Sequence, residues 1–156
     1  MKKCIARTYE LTDKGFDYIA PLFILLVRLY LAQVFFMAGL TKIANWESTI
    51  FLFENEYSVP LLSPAIAAYL GTIAELVLPV LIVLGIGSRW VILVFFIYNL
   101  VAMFSYSFLW TPDGSVGLTD HIQWGLLILM LLCTGFGKFS LDYLIRRFYL
   151  KMDKSE

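Results

Sequence analysis

From Pro21 to Ile43 the chain runs 23 residues that are almost all apolar, yet it places Arg28 about a third of the way in and Lys42 at the far end. About 20 apolar residues, rising roughly 1.5 Å each, cross the hydrocarbon of a bilayer, so the stretch has the length of a membrane span. A charge inside a span costs about 2.5 to 3.5 kcal/mol on insertion scales, and it therefore turns toward protein and takes a partner. Whatever else the chain forms must supply that partner.

Three further apolar stretches follow, at about 64–87, 90–110 and 121–139. With 60% hydrophobic and only 15% charged residues, against about 25% in soluble domains, the 156 residues read as one all-α integral membrane domain over 1–156. The short connections predict an antiparallel bundle of four transmembrane helices. Net charge is zero, so no excess of either sign points to nucleic acid. Cys4 and Cys133 form neither a CxxC pair nor a metal-spaced cluster, and no flavin motif is present.

Amphipathic segments surround the spans. Ile5, Tyr9, Thr12, Phe16 and Ile19 recur at helical spacing among charged residues, which predicts a helix on the membrane surface or an unstructured tail, retained rather than cleaved as a signal peptide. In the first outer loop Trp46, Ile50, Phe53 and Tyr57 repeat the pattern until Pro60, predicting an interfacial helix. At the C-terminus Ser140 is placed to cap a last helix with an apolar stripe of Leu141, Leu144, Ile145 and Phe148, flanked by Arg146, Arg147, Lys151 and Lys154. Its basic face suits an anionic membrane surface. Ala67 and Gly71 form a small-residue pair suited either to a homodimer contact or to packing within the bundle.

Four spans put both termini and the Gly85–Arg89 turn on one side, together with ten Lys and Arg residues, whereas the opposite side holds Lys42 alone with Glu47, Glu54, Glu56, Asp113 and Asp120. By the positive-inside rule both termini are cytoplasmic. On those boundaries Arg28, Glu75 and Asn99 lie roughly 11, 18 and 14 Å from the cytoplasmic edge. They are expected to share one intramembrane polar layer, with Arg28 paired bidentately to Glu75. Such a pair fixes helix register or floors a ligand or proton site, and both readings are open.

A second polar group gathers at the outer side. Arg28, Phe35, Gly39 and Lys42 share one face of the first span, leading outward toward Asp120 and His121 at the start of the fourth. One reading makes His121 a solvated or capping residue. The other is an outer pocket of Lys42, Trp46, Asp120, His121 and Trp124 that binds an anion or a quinone carbonyl.

The order Arg28, Ala38-Gly39-Leu40-Thr41-Lys42-Ile43, Glu75, Gly85 and Arg89, then Thr134-Gly135-Phe136-Gly137-Lys138-Phe139-Ser140-Leu141-Asp142, resembles the DoxX family of small bacterial membrane proteins over nearly the whole chain. The pattern positions carried over are Arg28, Gly39, Lys42, Glu75, Gly135, Gly137, Ser140 and Asp142, with Phe136 standing where the family commonly has proline. The resemblance implies a four-helix protein of the bacterial inner membrane. Relatives include the membrane subunit of an archaeal thiosulfate:quinone oxidoreductase, so it implies quinone as cofactor and a soluble redox enzyme as partner. A non-catalytic anchor or assembly factor for soluble enzymes is the alternative, and a small-molecule or ion transporter a third. The chain lacks the paired cysteines of quinone-linked thiol oxidases with similar bundles, which argues against disulfide relay.

Overall fold

The computed structural model describes residues 2–150, without the side chains of residues 2–6, 8 and 11. Expectations resting on Lys151 and Lys154, or on the side chains of Lys2, Lys3, Cys4 and Ile5, lie outside the described residues. The chain forms α1 (Lys2–Ala44), α2 (Trp46–Asn55), α3 (Pro64–Leu84), α4 (Ser88–Ser105), a 3-10 turn at Ser107–Trp110, α5 (Ser115–Thr134), α6 (Leu141–Leu144) and a π turn at Ile145–Tyr149. Four helices, α1 from Thr12 onward, α3, α4 and α5, are long and apolar enough to cross a membrane.

Several boundaries differ from the expected ones. No break separates the N-terminal segment from the first span, because Pro21 removes one main-chain donor without ending the helix. At about 64 Å, α1 is roughly twice the thickness of the hydrocarbon. The third span ends at Ser105, where Tyr106 turns extended, and the fourth begins at Ser115 and stops at Gly135, whose φ is +75°. His121 therefore lies nearly two turns inside α5 instead of at its start.

The order of contacts sets the arrangement. As α1 passes from Arg28 to Gly39, its neighbours on α3 pass from Ile82 back to Glu75. Along α4 from Arg89 to Asn99, the neighbours on α5 run from Cys133 back to His121. Leu31, Phe35, Ile82, Ile92, Phe95, Ile128, Leu131 and Phe136 form the main core.

Gly39 stands level with Glu75, so α1 rises only about 8 Å further before ending at Ala44, while α3 rises about 16 Å to Pro64. The space left above α1 is taken by α2, which buries Phe53 against Ala67 and Ala68 of α3 and Thr49 at its junction with α1, the Thr49 hydroxyl donating to the Lys42 and Asn45 carbonyls. Asn45 caps α2, its side chain accepting from the Ser48 amide. Ala67 and Gly71 receive Phe53, so of their two possible uses packing within the chain is the one observed. The Tyr57 and Tyr106 rings stack at 4.5 Å and tie this cap to the end of α4.

Candidate functional site

The expected Arg28–Glu75 pair does not form. The Arg28 side chain is fully buried, and its guanidinium donates only to main-chain carbonyls: Nε to Ile82 (2.8 Å), Nη1 to Phe136 (2.9 Å) and Phe139 (2.6 Å), and Nη2 to Val83. The last carbonyls of a helix have no partner within it and carry the negative end of its dipole, so the end of α3 is itself an anionic site. Glu75 lies seven residues, about 10 Å, further along α3. The carbonyls are simply nearer.

Around Arg28 the terminal stretch folds as a clasp. Ser140 caps α6 by accepting from the Tyr143 amide (3.2 Å), as expected, and the Asp142 carboxylate accepts from the Gly87 and Ser88 amides at the start of α4. The Asp142 amide donates in turn to the Gly85 carbonyl (3.1 Å). Gly135 and Gly137 hold left-handed φ values of +75° and +71° that shape the loop between. Phe136 sets its ring 5.3 Å below the guanidinium, a contact that proline would not make.

Glu75 is answered by Lys42, whose Nζ donates to both carboxylate oxygens at 2.8 and 2.6 Å, while the Tyr98 hydroxyl donates to Oε1 at 2.9 Å. The two side chains of the ion pair are 18% and 8% exposed, so water screens the pair little. Helical side chains point back toward the N-terminus, which carries the Lys42 stem down over Gly39. A Cβ at Gly39 would stand 2.9 Å from Leu76 and 3.1 Å from the Glu75 Cβ. The bare backbone there is what lets α1 and α3 close around the charges.

Asn99 belongs to neither cluster and pairs across to α5. Its Nδ2 donates to the His121 carbonyl at 3.0 Å, which fixes the amide, and its Oδ1 then faces His121 Nδ1 at 2.9 Å. An oxygen there can only accept, so Nδ1 carries the proton, and a neutral His121 keeps a lone pair at Nε2. Gly125, one turn along α5, clears the space, since its Cβ would meet Asn99 Nδ2 at 3.2 Å.

Aromatic rings join the two polar groups. Phe35 meets Tyr98 at 6.3 Å and Trp124 at 5.4 Å between ring centres, and Trp124 meets His121 at 4.9 Å. Trp124 also donates to the Tyr30 hydroxyl. Asp120 directly precedes His121 on α5. Trp46 stands apart, its ring on Tyr69 at the α2–α3 contact, so the five residues expected in one outer pocket are divided. Above the site, burial pushes the Tyr57 phenol upward, with Tyr106 and the acidic Glu75 and Glu56 adding to it, so it stays a neutral hydroxyl.

Tyr98 was not singled out from sequence, although a tyrosine in mid-span needs a partner for its hydroxyl, and that need was the available signal. The DoxX family model matches residues 23–107, more than half of the chain. The chain belongs to the DoxX family. No curated protein and no solved structure matches it. The region matched in this DoxX protein contains Arg28, Gly39, Lys42, Glu75, Tyr98 and Asn99. It stops short of His121 and of the Gly135–Asp142 stretch that carried much of the sequence resemblance. Family membership and four apolar helices make this DoxX protein a multi-pass membrane protein in contact with the lipid bilayer.

Proposed function

We propose that this DoxX protein is the membrane subunit of a redox complex and holds a quinone headgroup between the Lys42–Glu75–Tyr98 cluster and His121. The supporting observation is a spare hydrogen-bond donor and a spare acceptor in one apolar bundle, linked through the rings of Tyr98, Phe35 and Trp124. Lys42 spends two of its three N–H donors on Glu75 and keeps one, while His121 keeps the Nε2 lone pair. A quinone carbonyl accepts from the first and a quinol hydroxyl donates to the second, with Phe35 and Trp124 as ring-shaped walls. Reduction takes two electrons and two protons per quinone, and a soluble redox enzyme is the proposed electron source.

The reading includes an antiparallel bundle in the bacterial inner membrane with both termini cytoplasmic, supported by the ten-to-one distribution of basic residues. The α2 and C-terminal segments lie at the two interfaces in this arrangement. Lipid extraction from protein purified in mild detergent is expected to yield co-purifying quinone, and His121→Leu or Lys42→Met is expected to lose it. Repeated absence of quinone from the unaltered protein would exclude the proposal.

A second reading, an anchor for soluble enzymes, is favoured by the length of α1, which exposes Phe16 and Tyr18 on a part of the helix beyond what the bilayer needs. Crosslinking from these positions in native membranes tests it, and recovery of no soluble protein counts against it.

A further inference from the structure

At the end of the bundle where the α3–α4 turn meets the C-terminal segment lies a cleft of about 530 Å³, within the range of small-ligand sites. Four cations line it, Arg89 from the start of α4, Lys138 from the loop after α5, and Arg146 and Arg147 from the π turn, against the single carboxylate of Asp142. That carboxylate is already spent on the Gly87 and Ser88 amides. The only ion pair among the described residues is Lys42–Glu75, so none of the four cations is ion-paired and Asp142 offsets one charge of the four.

Their donors are largely unused. Arg89 gives one hydrogen bond to the Cys133 carbonyl (3.2 Å), Arg146 one to the Ser88 hydroxyl (3.0 Å) and Arg147 one to the Tyr143 hydroxyl (3.2 Å). Each guanidinium has five N–H groups, and the planar fork matches phosphate oxygens in pairs. Ser88 and Tyr143 bring hydroxyls to the same walls. We propose that this cleft is a binding site for a phosphate group, carried by the headgroup of an anionic phospholipid.

Position decides between a lipid and a soluble phosphate ester. The cleft sits where α3 and α5 end and α4 begins, which is the level of the headgroups for helices of bilayer length. Beside it Phe139, Leu144, Ile145 and Phe148 are exposed, an apolar surface suited to acyl chains and of no use to a soluble ester. Basic clefts between membrane helices take anionic headgroups by this combination of charge and depth. The inference needs only the membrane-spanning fold and stands apart from the quinone proposal.

The test is native mass spectrometry of the full chain released from detergent with phosphatidylglycerol, phosphatidylcholine, glycerol 1-phosphate or inorganic phosphate added separately. Phosphatidylglycerol is expected to saturate a site that phosphatidylcholine does not. The triple variant Arg89→Gln, Arg146→Gln, Arg147→Gln is expected to weaken it on the order of 100-fold, from about 1 kcal/mol per cation. Lys138→Gln, a residue with no partner among the described residues, is expected to weaken it severalfold with an unchanged melting temperature, which guards against a folding defect in the triple variant. Equal binding of inorganic phosphate or glycerol 1-phosphate, lost in both variants, would keep the phosphate site and overturn the lipid assignment. Equal binding of phosphatidylcholine, or phosphatidylglycerol binding untouched by both variants, would overturn the site.

Discussion

Arg28 is held by four main-chain carbonyls, whereas Lys42 is answered by a carboxylate, and the two arrangements respond differently to substitution. Carbonyls cannot be mutated away, so no second change rescues the loss of Arg28. Arg28→Met leaves several buried acceptors short of a donor at about 1 to 3 kcal/mol each, and the melting temperature in detergent is expected to fall sharply. Arg28→Lys should recover only part of it, because an ammonium cannot reproduce the fork. The Lys42–Glu75 pair behaves as a true couple. Glu75→Leu alone strands an ammonium and is expected to cost about 3 to 5 kcal/mol, while Lys42→Met with Glu75→Leu should return most of that. A double-mutant cycle measures the difference, and additive losses would refute the coupling.

At the scale of elements, each polar group sits beside a glycine that lets two segments approach: Gly85 at Arg28, Gly39 at Glu75 and Gly125 at Asn99. Gly39→Ala is expected to push α1 from α3 and cost about 1 to 3 kcal/mol, read as a lower melting temperature. Gly85→Ala should cost more, because its Cβ would fall 2.5 Å from the Ser140 Cβ at a left-handed φ of +65°. Gly135 has open space around it, so Gly135→Ala should show the backbone strain alone, about 1 to 3 kcal/mol.

The four apolar spans, the α2 helix and the Ser140 cap were legible in sequence because each rests on local pattern. The partner of Arg28 was not, since main-chain carbonyls leave no trace in residue identity. Arg28 and Glu75 already differ by roughly 7 Å in expected depth along the membrane normal. Asn99 and His121 were both singled out, yet placing His121 at a helix start hid their contact. Moving that start back to Ser115 brings the two residues level.

For the whole molecule the expected topology is testable without reference to chemistry. Single cysteines introduced at Ser115 and at Tyr149, in a chain with Cys4 and Cys133 replaced by serine, should label from opposite faces of intact cells, with Tyr149 accessible only from the cytoplasm. Labelling of both from one face would refute the four-span arrangement. The bundle is fastened at two heights, by the ion pair between α1 and α3 and by the clasp at one end, and loosening either should leave the other measurable.

The clasp also has a consequence for biosynthesis. Arg28 is translated early and enters the bilayer with the first helix, yet two of its four acceptors, the carbonyls of Phe136 and Phe139, emerge only after the fourth helix is complete. Until then the nascent chain carries a guanidinium with half its hydrogen bonds to the protein unmade. A chain ending at Thr134 retains all four spans and still cannot close around that charge. Residues 135–142 thus separate a chain that can close around Arg28 from one that cannot, and the membrane's proteolytic surveillance has a chemical difference on which to act.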